Sequence, residues 1–181
     1  MRTLTVKQST GTTWSTGWHE LTVNAAKYGD YNGSKFIELG FKDYPENFTL
    51  RVYAKKGKDG EEFAIGNVFR FANAGITEVL EGTGGDKVVK LDDSVENMID
   101  KTLNIYFYKD GDYTRAFSSV APTVFENALD TFTEKDVDFW KSKAETRFNN
   151  YTPGSGASTT APMESNGVPA ATNTSDAELP F

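Results

Sequence analysis

Tyr106, Tyr108, Tyr113, Arg115 and Phe117 fall two residues apart on either side of Asp110-Gly111. A hairpin turning there puts four rings and a guanidinium on one side of two strands, because side chains two apart share a face. With Asp110-Gly111 as a two-residue loop, Lys109 opposes Asp112, Tyr108 opposes Tyr113, and Tyr106 opposes Arg115. Leu103, Ile105, Phe107, Thr114 and Ala116 then fill the other face, which reads as the buried side. Rings that face solvent next to cations can do one kind of chemistry well. They stack on planar bases for about 1–3 kcal/mol each while Arg or Lys holds phosphates. The competing reading is that a helix covers some or all of these rings.

A second set points the same way. Thr49, Arg51, Tyr53 and Lys55 alternate with Phe48, Leu50, Val52 and Ala54, and Lys56 and Lys58 follow in the adjoining turn. Lys35-Phe36 lies beside the Asn32-Gly33 turn, and Phe69-Arg70-Phe71 adds a weaker aromatic–basic group, with Phe69 assigned to the core. Trp14 and Trp18 could stack bases or pack over a barrel end, and packing is the favoured expectation.

Catalysis has little to work with. There is one histidine, His19, and no cysteine, which removes thiolate nucleophiles, disulfides and histidine-rich metal sites. Gly82-Thr83-Gly84-Gly85-Asp86-Lys87 lacks the spacing and the Ser or Thr of a phosphate loop, and reads as a turn. Asp92, Asp93, Glu96 and Asp100 read as solvated acids around a short helix. The expectation is a chain that is not an enzyme and carries no metal and no cofactor. A magnesium-dependent nuclease built from carboxylates alone is the residual catalytic alternative.

The elements that must position these side chains have a mainly β signature. Leu21, Val23 and Ala25, then Ile37, Leu39 and Phe41, recur at period two, as do the third and fourth runs described above. Asn32-Gly33 predicts a hairpin between strands near 20–31 and 34–42. Ile65, Val68, Phe69 and Ala72 have helical spacing, with Gly75 as a stop. Thr133 and Asp136 form a capping box for a helix whose stripe is Val137, Trp140, Ala144 and Phe148. Five or six short strands with an inserted helix and a C-terminal helix fit an OB-like Greek-key barrel. A β-sandwich competes.

Composition breaks near Tyr151. Residues 152–175 are rich in Pro, Gly, Ser, Thr, Ala and Asn, too poor in apolar surface to offset the entropy of ordering. One folded domain over 1–151 and a disordered linker and acidic tail over 152–181 are therefore expected. The formal net charge is −7, and three of the 26 acids lie beyond Arg147, leaving 23 acids against 19 bases before it. Any anionic partner must thus be met by local clustering of Lys and Arg. The start of the chain lacks the apolar run of a signal peptide and no segment is long enough to span a bilayer, so a cytoplasmic protein with no membrane partner is expected.

The chain ends in Asp176-Ala177-Glu178-Leu179-Pro180-Phe181. This end resembles the tail of bacterial single-stranded-DNA-binding proteins, in which several Asp precede Ile-Pro-Phe. It is also similar to the acidic, aromatic-ended tails of phage single-stranded-DNA-binding proteins. Only two acids precede Leu179 here, fewer than the bacterial run. The resemblance implies a protein that protects single-stranded DNA with little sequence preference during replication, recombination and repair. It also implies that Asp176, Glu178, Leu179, Pro180 and Phe181 recruit replication or recombination enzymes, in the cytoplasm of an infected host if phage-encoded. The DNA-binding residues expected from the residue patterns are Lys35, Phe36, Arg51, Tyr53, Lys55, Lys56, Tyr106, Tyr108, Tyr113 and Arg115. Homo-oligomerisation stays open. The alternatives are a carbohydrate-binding or phage structural module, whose exposed rings would stack on sugars, and an adaptor that binds proteins alone.

Overall fold

Asn32 and Gly33 both take positive φ, 52° and 79°, as a two-residue hairpin loop demands. They join β1 (Gly17–Tyr31) to β2 (Ser34–Phe41), with Tyr31 opposite Ser34. The computed structural model describes residues 14–151. The expected linker and the expected docking end at Asp176, Glu178, Leu179, Pro180 and Phe181 lie outside the described residues.

β1 serves two partners because it is long and bulged. Its first half, Gly17–Thr22, pairs with β6 (Thr102–Asp110), and its second half pairs with β2. A bulge between Val23 and Ala25 separates the halves and lets the strand bend. The bulge also switches the alternation. Leu21 and Val23 face the core before it, and Ala26, opposite Leu39, does so after it.

β3 (Thr49–Tyr53) continues the sheet beyond β2, and β7 (Tyr113–Ala116) continues it beyond β6. The order is β3-β2-β1-β6-β7, all antiparallel. Three strands joined by consecutive connections, and a fourth in this sheet returning beside the first, make a Greek-key order. The edge strands β3 and β7 do not pair with each other, so the expected barrel is not closed. The reason lies in the chain after Ala116. It leaves the β7 ladder and rejoins β6 at an isolated bridge, Asn104 to Ala121, instead of crossing to β3.

Between β3 and β6 the chain forms α1 (Ala64–Phe71), the helix expected from the Ile65, Val68, Phe69 and Ala72 spacing, and all four are buried. The Glu62 carboxylate accepts from Ile65 N (2.9 Å) and Gly66 N (3.1 Å), so it caps the otherwise unpaired first turn. Gly75 follows with φ +67, and a Cβ there would sit 2.0 Å from the Asp92 carbonyl oxygen, so this close crossing needs glycine. β4 (Ile76–Glu81) and β5 (Lys87–Leu91) then form a separate hairpin. The inner face of the main sheet and α1 together hold the core, with Ile37, Leu39, Leu50, Phe69, Leu103, Ile105 and Phe107 fully buried. Trp14 packs over one end of it against Tyr44 and Phe48, as expected of a packing residue.

β8 (Phe125–Glu126) and β9 (Thr131–Phe132) lead into α2 (Glu134–Asn150). The expected capping box is present: Asp136 N donates to Thr133 Oγ1, and Thr133 N donates to Asp136 Oδ2 at 2.8 Å. Those bonds hold the Asp136 carboxyl below its ordinary pKa. Thr133→Ala is therefore expected to cost about 1 kcal/mol in urea unfolding at neutral pH.

Candidate nucleic-acid interface

The outer face of β1–β2–β3 is built by four cross-strand pairs. Phe36 lies opposite Gly29 on one side and Tyr53 on the other, while Glu38 lies opposite Lys27 and Arg51. Gly29 makes room for the Phe36 ring, since a Cβ there would come within 2.3 Å of Phe36 Cζ. The Arg51 guanidinium lies 4.5 Å from the Phe36 ring centroid, and the Phe36 and Tyr53 rings are 5.3 Å apart. A ring and a planar cation in this arrangement attract each other through the ring quadrupole.

Glu38 sits at the centre of this face and is buried, although it is ionised. Arg51 Nε donates to its Oε2 at 2.6 Å, and Lys27 Nζ lies 2.9 Å from its Oε1. Burial pushes the Glu38 carboxyl up, but the hydrogen bonds from Arg51 and Lys27 outweigh it and hold the pKa below its ordinary value of 4.5. A carboxyl depressed in the fold lends stability above its unfolded pKa and loses it as pH falls through the folded one. Urea unfolding from pH 6 down to about pH 3 should show that loss, and Glu38→Gln should lack this part of it.

Of the other residues expected on this face, Lys55 is half-buried and Lys56 is exposed where it bridges to Glu62. Lys35 is exposed opposite Asp30, but alternation sends it to the other side of β2 from Phe36, so it borders the hairpin tip. Lys27 and Tyr31, which the sequence reading passed over, belong to the face and are exposed. Their signal was present in the alternation of Lys27, Gly29 and Tyr31. The bulge after Val23 hid it by shifting that alternation out of step with Leu21 and Val23.

The face is less open than expected. Phe36 and Tyr53 are buried, Phe36 between Gly29 and the Arg51 guanidinium.

The larger correction concerns the β6–β7 hairpin. Its loop is Gly111-Asp112, one residue later than expected, because Gly111 (φ 60) takes the first loop position. Tyr108 thus faces Arg115, and Asp110 faces Tyr113. Face membership survives the shift, but exposure does not. Phe148 of α2 lies 5.1 Å from Tyr106, 5.1 Å from Tyr108 and 5.4 Å from Phe117, ring to ring. Tyr108, Arg115 and Phe117 are buried and Tyr106 is half-buried; Tyr113 alone of the expected hairpin residues stays open, at 58% exposed. Burial, with Tyr151 nearby, raises the Tyr108 hydroxyl pKa well above its ordinary value. Arg115 Nε lies 2.8 Å from Asp110 Oδ2, so its charge is already met. Covering these rings removes a large apolar area from water, which outweighs leaving them open.

Phe69-Arg70-Phe71 is not part of a site. Phe69 and Phe71 are core, and Arg70 Nε donates to the buried Asp130 at 2.8 Å. Trp18 packs against Tyr106 and donates to Glu145 Oε1 at 2.7 Å. His19 stacks on Phe107, with ring centroids 4.3 Å apart. Among the described residues, no group of three or more His, Asp or Glu is placed to hold a metal ion, and no helix is long and apolar enough to cross a membrane. No family model matches the chain, and searches of curated proteins and of solved structures return no match, so the reading of this face rests on its own geometry.

Proposed function

We propose that this chain binds single-stranded DNA with little sequence preference, on the outer face of β1–β2–β3, and recruits replication or recombination enzymes through residues 176–181. The observation that carries the reading is the cluster of Arg51 over Phe36, beside Tyr53, with Lys27 and Tyr31 exposed on the same face. A flexible strand can lay bases on Tyr31 and on the Arg51–Phe36 stack while Lys27 and Arg51 meet its phosphates. A rigid duplex hides its base faces and gains less here. The Greek-key order, with α1 entering between the third and fourth strands of the sheet, supports an OB-like reading with the barrel left open. In such folds the second and third strands carry oligonucleotides.

Two cations, Lys27 and Arg51, set a modest phosphate count. The logarithm of affinity should then fall with the logarithm of salt at a slope of roughly −1.4. Fluorescence anisotropy of labelled single- and double-stranded oligonucleotides at several salt concentrations tests this. Salt-weakened binding of single strands over duplex supports the reading. Equal binding of both, or of neither, refutes it. Binding of oligosaccharides instead would favour the carbohydrate alternative.

A further inference from the structure

The unpaired edge of β3 borders a cleft. Its other sides are α1, residues 118–120 and α2, and it holds about 610 Å³ of empty space including the part open to solvent. Phe63, Phe71 and Trp140 give it aromatic walls, with the last two rings 4.8 Å apart. Lys55 and Arg147 also line it, and no acid does, in a chain with 26 acids and 19 bases. Asn67, on the α1 wall, is 9% exposed, and its buried Oδ1 meets no donor. A buried acceptor without a partner costs about 1–3 kcal/mol, which a ligand N–H can recover.

We propose that this cleft seats one nucleobase of a bound single strand, with a base N–H donated to Asn67 Oδ1 and the adjoining phosphate held by Lys55 and Arg147. The inference rests on the reading above that the neighbouring face binds single strands, since Tyr53 belongs to both the face and the cleft. Aromatic walls suit a planar base, the paired cations suit its phosphate, and the carboxamide oxygen suits the N–H that every base carries on its pairing edge. Because all four bases can donate there, the cleft adds affinity without strong sequence preference.

The test uses the full chain. Side-chain amide and indole NMR signals of Asn67 and Trp140 are followed while dAMP, and separately a thymidine hexanucleotide, are added. Both ligands should move both signals. Asn67→Leu, which removes an unpaired acceptor, should fold at least as stably as the parent yet bind the hexanucleotide about tenfold more weakly. If Arg51→Ala weakens binding while Asn67→Leu does not and the Asn67 signal stays still, the cleft is not a base site, although the face reading stands. If neither ligand binds at all, the face reading fails and this inference falls with it. A hexapeptide of sequence Asp-Ala-Glu-Leu-Pro-Phe that moves the two signals where dAMP does not would make the cleft a peptide dock and overturn the inference.

Discussion

Replacing Arg51 with alanine is expected to weaken single-strand binding by about 2 kcal/mol, roughly thirtyfold, and to make the salt slope shallower by about 0.7. Two roles meet in this side chain. Its guanidinium stacks on Phe36, 4.5 Å from the ring centroid, and it neutralises the buried Glu38. Removing it exposes a ring but leaves Glu38 with Lys27 alone, whose side chain is 71% exposed. Breaking a buried ion pair costs about 3–5 kcal/mol, and the remaining lysine lowers that to about 2 kcal/mol of fold stability. The lost affinity could come from the missing contact or from an uncompensated carboxylate that repels phosphate. Adding Glu38→Gln to Arg51→Ala separates them. Affinity that stays low in the double variant assigns the loss to the missing stack and phosphate contact. Arg51→Lys keeps the charge without the planar fork and should fall between parent and alanine variant.

The second large effect is expected at Phe148, which touches neither the β2–β3 face nor any residue assigned to it. Its ring meets Tyr106, Tyr108 and Phe117 at once. Phe148→Ala should cost about 3 kcal/mol of unfolding free energy, at the low end for a large aromatic because the ring is only half-buried. Urea unfolding measures it. Single-strand affinity, measured well below the transition, should change by less than about twofold, since α2 already covers this end of the sheet's outer face. A tenfold loss in a folded variant would move the binding surface to β6–β7.

Strands β2, β3 and β6 were legible because their core-facing residues alternate without interruption, whereas in β1 the bulge moves the core position from Ala25, expected from the spacing, to Ala26. Ile37, Leu39 and Phe41 read as one face, and all three are buried. Both helices were legible from apolar residues three and four apart, and the Thr133–Asp136 capping box gave one start to the residue. β4 was not read as a strand, nor β4–β5 as a hairpin, because each strand of the pair is half solvated, with Leu80 and Val88 exposed opposite each other. β8 and β9 are two residues each, too short for any period.

The candidate site was less legible than the fold. Period two told which hairpin residues share a face, but not what lies on top of that face. Phe148 is 31 residues beyond Phe117 in sequence, and its own stripe said only that α2 packs somewhere. Glu38 was invisible for a related reason. A carboxylate alternating in a strand reads as solvated until its partners across the ladder, Lys27 and Arg51, are known.

The most direct test is NMR chemical-shift mapping of the full chain saturated with a thymidine hexanucleotide. The largest shifts should gather at Lys27, Tyr31, Phe36, Arg51 and Tyr53, on one face of β1–β2–β3. Shifts confined to Tyr113 and the β6–β7 hairpin, or no shifts at saturating oligonucleotide, would contradict single-strand binding by this face.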